Sequence, residues 1–193
     1  MVIEVRPAAV FDDVRALVGP KRDDASVCWC LSYRIPSKVN NAMRGQERGA
    51  FVAKLLEDGP LGVLAYDDDT PVGWAAVAPR ADTTFARNRK IPHVDDLPVW
   101  SVWCIRVRPG HRGEGISHAL IRGAIDYARA GGAPALEAYP LDNAGARVDQ
   151  TMAYAGLRTN FEAAGFRHVA DTTSVLSGHP RVLMRFDLDS RGD

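Results

Sequence analysis

The chain has 193 residues, 46% hydrophobic and 25% charged, a balance that suits one ordinary globular domain with a real core and excludes a disordered chain. Lysine plus arginine equals aspartate plus glutamate at 24 each, so no overall basic field draws the molecule onto nucleic acid or an anionic membrane, and any anion site must be local. No apolar run approaches the roughly 20 residues of a membrane span, and the amino-terminal MVIEVRPAAV has neither a basic leader nor a long apolar core, which predicts a cytoplasmic protein.

Val2 to Arg6 alternates as a strand does, and Ala9 to Val18 sets Val10, Val14, Leu17 and Val18 on one helical face that ends at Pro20. Asn40 to Leu56 reads as a second helix. Leu61 to Tyr66 and Pro71 to Ala78 flank the turn-rich Asp-Asp-Asp-Thr and predict a hairpin. A polar loop from Pro79 to Pro98 leads into Val99 to Val107, whose bulky and β-branched side chains mark a mostly buried strand. Ile116, Ala119, Leu120, Gly123, Ala124, Tyr127 and Ala128 then recur at helical spacing, with Gly131 and Gly132 as the stop and Pro134 to Pro140 as the next strand. A helix over Thr151 to Ala164 and strands over Phe166 to Ala170 and Val182 to Leu188 complete an α/β pattern. A hairpin followed by a parallel crossover predicts a mixed sheet, and no repeat or low-complexity linker divides the chain.

The informative stretch is Arg106 to Ser117, "RVRPGHRGEGIS", a glycine-rich basic turn between a strand and a helix. Glycines there bring the first unpaired N–H groups of the helix within reach of an anion, at the positive end of its dipole. The dinucleotide fingerprint G-x-G-x-x-G fails, since His118 stands at the third glycine, and the unit follows a hairpin rather than opening a βαβ series. A P-loop needs Gly-Lys-Ser/Thr, and this turn runs Gly115-Ile116-Ser117 with no lysine for terminal phosphates.

With Arg112, Gly115 and Ser117 at its defined places, the turn resembles the Gln/Arg-x-x-Gly-x-Gly/Ala signature of the GNAT superfamily of acyl-CoA-dependent N-acyltransferases. "VRPGHRGEG" resembles that family's strand-to-helix passage, and "NFEAAGF", Asn160 to Phe166, resembles its later helix-to-strand segment. The resemblance covers nearly the whole chain. It implies a single-domain GNAT-like α/β fold over residues 1–193: a mixed, mostly antiparallel central sheet, helices on both faces, and a splayed parallel pair of the fourth and fifth strands. It implies acetyl-CoA as co-substrate, bound by Ile105, Val107, Arg112, Gly113, Glu114, Gly115, Ile116, Ser117 and Phe161, with an N–H near Val107 polarising the acyl oxygen. Arg106, Arg108 and His111 are further candidates for phosphate contact, against the ordinary reading of solvated surface bases.

The implied chemistry is direct attack of a neutral amine on the thioester within one ternary complex. Glu137 is the most central carboxylate that could accept the amine's proton, and the alternative is a paired structural glutamate. Members of the family often carry tyrosine where this chain has Phe161, so Tyr154, two helical turns earlier on one predicted face, is the candidate acid. A core aromatic with a hydrogen-bonded tip is its alternative. Cys28-Trp29-Cys30 lacks a second cysteine pair at zinc spacing, three cysteines are too few for a disulfide framework, and no metal is expected. Trp29 and Tyr33, with Arg34, fall where the family's acceptor wall lies, or they pack plainly. His93, Asp95 and Asp96 border that entrance or form a solvated loop. The expected activity is acetyl transfer from acetyl-CoA to a primary amine of a small molecule or protein, with no nucleic-acid or membrane partner and with a homodimer left open. A catalytically weak acyl-CoA-binding module and a dinucleotide-binding oxidoreductase are the alternatives.

Overall fold

The computed structural model describes residues 2–22, 25, 29–149 and 153–188. Its strands are β1 (Ile3–Pro7), β2 (Gly62–Asp67), β3 (Thr70–Pro79), β4 (Trp100–Val107), β5 (Ala135–Ala138), β6 (Arg167–Leu176) and β7 (His179–Asp187). Its helices are α1 (Phe11–Val18), α2 (Ser37–Ala42), α3 (Gly45–Glu57), α4 (Ile116–Ala130) and α5 (Arg158–Ala163). The strands form one mixed sheet in the order β1-β2-β3-β4-β5-β7-β6, with β4 and β5 parallel and every other neighbouring pair antiparallel. The expected fold class is the one observed.

Two cores follow from the pleat and the helical stripe. On one face α4 buries Ile116, Leu120, Ile121, Ala124, Ile125 and Ala128, a stripe at 3.6-residue spacing, against Val63, Ala65, Val72 and Ala75 of the β2–β3 hairpin. Each fully buried Leu or Ile there contributes about 1.5–3 kcal/mol. On the other face Val14 and Val18 of α1 and Val52 of α3 join Leu64, Trp74, Phe85, Trp103 and Tyr139.

Three expected elements change. The helix expected over Asn40 to Leu56 is two helices, parted where Met43 and Arg44 are extended; Glu47 then accepts the Arg44 backbone N–H at 2.7 Å, a start signal the sequence carries as Arg-Gly-Gln-Glu. The helix expected over Thr151 to Ala164, of which residues 151 and 152 lie outside those described, is a 3-10 turn at Ala153–Ala155 followed by α5. Gly156 separates them at φ +81, a left-handed conformation that ends a helix. The last two strands extend toward each other into a hairpin whose turn is Ser177-Gly178, both at positive φ, the geometry of a tight two-residue connection.

The sheet opens where β4 and β5 meet. Only Trp100, Ser101 and Val102 pair with Leu136, Glu137 and Ala138, after which β4 runs on to Val107 without its parallel partner. A bulge adds to this: Ala76 pairs with Cys104 while Val77 pairs with Val102, so Trp103 is left over and β4 bends at that point.

Candidate active site

The open seam carries a cavity of about 740 Å³, walled by the carboxyl end of β4, the glycine turn, the start of α4, the end of α1 and the segment Ala153–Asn160. Ile105, Val107, Arg112, Gly113, Gly115, Ile116, Ser117 and Tyr154, all expected site residues, line it together. Lys21, Arg106, Arg108, His111 and His118 line it as well, and Lys21, just after α1, had no signal in the sequence beyond its charge.

The turn is built to meet an anion. Gly113 and Gly115 stand at φ +85 and +78, and a Cβ placed on either would meet nothing within 4 Å, so the backbone faces open space. Gly115 caps α4 without a side chain. The first N–H groups with intrahelical acceptors are those of His118 and Ala119, both bonded to the Gly115 carbonyl, and the N–H groups of Gly113 through Ser117 have no partner among the described residues. No acidic side chain occupies the first turn of α4, and Arg106, Arg108 and Arg112 form no ion pair among the described residues. A pyrophosphate fits such a cradle through its chemistry: bare N–H donors, a helix dipole and unpaired guanidinium groups. Glu114 does not line the cavity, and its carboxylate lies 3.3 Å from His111.

Phe161 and Tyr154 do not share a face. Phe161 is fully buried in the α4-side core, 5.1 Å centroid to centroid from Phe166, and is absent from the cavity wall. Tyr154 packs against the opposite core, because the turn at Gly156 redirects the chain between them. Burial, followed by the nearby Tyr33, pushes the Tyr154 phenol above its ordinary range.

Glu137 lies away from the cavity and is fully buried. Arg185 donates to its Oε1 at 2.6 and 3.2 Å, Arg80 to Oε2 at 3.0 Å, and Tyr139 to Oε2 at 3.3 Å. Both oxygens are engaged, as in the paired structural glutamate that stood as the alternative to a base. Arg185 also grips Asp95 with two nitrogens, which fastens the loop before β4 to β7. The Arg185 hydrogen bond holds the Asp95 carboxyl below the usual range.

Of the expected acceptor wall, Trp29 is buried and stacks on Phe11 at 5.5 Å, and neither it nor Tyr33 lines the cavity. Tyr33 neighbours Tyr154 and is stacked on Phe85 at 4.5 Å. Cys30 accepts the Trp74 indole N–H at 3.0 Å, a packing contact, and Cys28 lies outside the described residues. Phe85, Tyr139, Arg80, Arg181 and Arg185 were missed. The signal for the two β7 arginines was in "RVLMR", where charges at i and i+4 interrupt an apolar strand on one face.

Residues 30–147 match the family model described as the Acetyltransferase (GNAT) family, and the chain belongs to that family. No curated protein matches the chain. Among solved structures, the ribosomal-protein-alanine N-acetyltransferase of Brucella melitensis shares 19% identity and a TM-score of 0.57, over 96% of this chain and 99% of that one. A PaiA N-acetyltransferase from Thermoplasma acidophilum, in complex with coenzyme A, shares 13% identity and a TM-score of 0.54, over 97% and 99%. A Salmonella typhimurium protein solved with its cofactor acetyl-CoA shares 16% identity and a TM-score of 0.56, over 100% and 98%. At these identities the likeness is one of fold. No helix among the described residues is long and apolar enough to cross a membrane.

Proposed function

We propose that the chain is one cytoplasmic N-acetyltransferase domain over residues 1–193, moving acetyl from acetyl-CoA to a primary amine on a small molecule or a protein. The observation that carries this is the glycine turn: N–H groups from Gly113 to Ser117 without partners among the described residues, beside Arg112, in the wall of a cavity that Tyr154 also lines. Coenzyme A supplies the thioester. Gly113, Gly115, Ile116 and Ser117 hold its pyrophosphate, Arg112 adds a charge-assisted contact, and Ile105 and Val107 present the β4 edge to the acyl arm.

The amine nitrogen attacks the carbonyl carbon, the C–S bond breaks with its electron pair on sulfur, and one proton passes from nitrogen to sulfur. Tyr154 is the phenol placed to give sulfur that proton. With Glu137 held by two guanidinium groups, water in the cavity accepts the amine's proton. Coenzyme A release measured over a panel of amines, aminoglycosides, amino acids and lysine peptides tests the reading. Turnover with at least one class is expected. Tight acetyl-CoA binding with no turnover on any acceptor would reduce the protein to a binding module, and preference for NAD over coenzyme A in a thermal-shift comparison would overturn the assignment.

A further inference from the structure

Arg181, on β7, is 1% exposed and has no carboxylate partner among the described residues. Its Nε donates to the Tyr139 carbonyl at 2.7 Å and its Nη1 to the Tyr33 hydroxyl at 2.9 Å, while Nη2 has no hydrogen-bond partner among the described residues. The guanidinium carbon lies 5.3, 5.9 and 6.0 Å from the ring centroids of Tyr33, Tyr139 and Phe85. Aromatic faces offset part of a cation's desolvation, yet a buried charge with no counter-ion remains costly. Replacing it with an apolar side chain would be the cheaper solution for a scaffold. Its neighbour Arg185 takes the ordinary course, with two carboxylates around it.

The charge connects to the cavity in two steps. Arg181 donates to Tyr33 at 2.9 Å, and Tyr33 packs against the same core as its neighbour Tyr154, which lines the cavity wall. Among the described residues, the titratable groups that act on Tyr154 are Tyr33, Arg181 and Cys104 of β4. The leaving group of the proposed reaction is a thiolate, so negative charge develops where this wall stands.

Resting on the reading of the cavity as the acetyl-CoA site, we propose that Arg181 is a positioning residue for the departing thiolate. Acting through Tyr33, it fixes Tyr154 and supplies the positive charge that stabilises sulfur as the C–S bond breaks. In the transfer itself the Tyr154 O–H bond breaks and an S–H bond forms. The phenolate, facing Tyr33 and Arg181, recovers through the cavity water the proton that the acylated nitrogen sheds. Both tyrosines end neutral, and no further reactant is consumed.

The test is a titration of free coenzyme A against acetyl-CoA across pH, on the wild type, Arg181→Met and Arg181→Lys, with thiolate absorbance recorded on the bound form. A cysteine thiol titrates at about 8.5, and the unactivated alkyl thiol of coenzyme A lies above that. In the wild type, bound coenzyme A should show thiolate below the pH at which the free cofactor does, and its affinity relative to acetyl-CoA should climb as pH rises. Arg181→Met should lose both and lower kcat by about tenfold or more, with KM for acetyl-CoA unchanged within about threefold. Arg181→Lys should keep part of the thiolate signal. Should Arg181→Met fail to fold, Tyr33→Phe cuts the same link and should weaken the same signal. Identical thiolate titration in the wild type, Arg181→Met and Tyr33→Phe overturns this inference alone. Failure of acetyl-CoA to bind the wild type overturns the cavity reading and the inference with it.

Discussion

Two guanidinium groups four residues apart on one face of β7 have opposite surroundings. Arg185, 3% exposed, is wrapped by Glu137 and Asp95, with Arg80 completing the cluster. Arg181, 1% exposed, is wrapped by aromatic rings and a carbonyl. Tyr139 touches both, giving its carbonyl to Arg181 and its hydroxyl to Glu137. The compensated cluster ties three elements that are distant in sequence: β5, β7 and the loop before β4. Such a cluster costs desolvation and returns fixed geometry, whereas the uncompensated charge stands behind Tyr33, next to the cavity-lining Tyr154, and contributes field. The same residue type serves as scaffold in one case and as site in the other, and the difference lies in the carboxylates.

The contrast breaks most sharply in rate. Tyr154→Phe keeps the ring and removes the hydroxyl, so turnover should fall by about 10²–10⁴-fold while acetyl-CoA affinity and melting temperature hold. A loss of less than about threefold would leave Tyr154 as packing alone. Glu137→Gln should act through stability instead: two buried guanidinium groups lose their shared anion, at a cost of about 3–5 kcal/mol in denaturant unfolding. A normal unfolding curve with abolished turnover would return Glu137 to the role of base. Phe161→Tyr should not supply a donor to the reaction. Its hydroxyl would enter a fully closed core among Ile116, Phe166 and their neighbours, a cost of about 1–3 kcal/mol with no gain in rate. Raised turnover in this variant would contradict the placement of α5.

The smallest effect is a pH dependence. Asp95 has its carboxyl pKa lowered by the Arg185 hydrogen bond, so its contribution to stability is complete above the unfolded value of about 3.9 and fades as pH falls through the lower folded value. Its side chain is 36% exposed, so solvent screening keeps the contribution below about 1 kcal/mol. Acid unfolding of Asp95→Asn should be shallower than that of the wild type by that amount, and an identical acid limb would show the pair to be energetically silent.

What the sequence carried well was periodic or punctuated. The α4 stripe, the β2–β3 hairpin and the glycine turn all declare themselves within a dozen residues, and the cradle side of the cavity followed from them. What it hid was non-local. No local pattern could show that Glu137 meets Arg185 across the β5–β7 register, or that Phe85, in a loop that reads as polar, closes an aromatic box around Arg181. Gly156 was visible inside the helix expected over Thr151 to Ala164. Its left-handed φ outweighed the apolar spacing, and with it went the shared face of Tyr154 and Phe161. The bulge at Trp103 left no composition signal, because both flanks are equally apolar.

The central claim is that the α4 turn holds the coenzyme, and calorimetric titration of acetyl-CoA into Gly115→Val tests it most directly. Gly115 lies in the cavity wall at φ +78, and Gly110, at φ +96, lies in the same loop outside that wall, so Gly110→Val carries the backbone strain without the obstruction. Blocking charge-assisted contacts worth about 1.5–3 kcal/mol should weaken acetyl-CoA binding by about 10–100-fold in Gly115→Val, with Gly110→Val near wild type. Equal affinity in all three folded proteins would contradict the account.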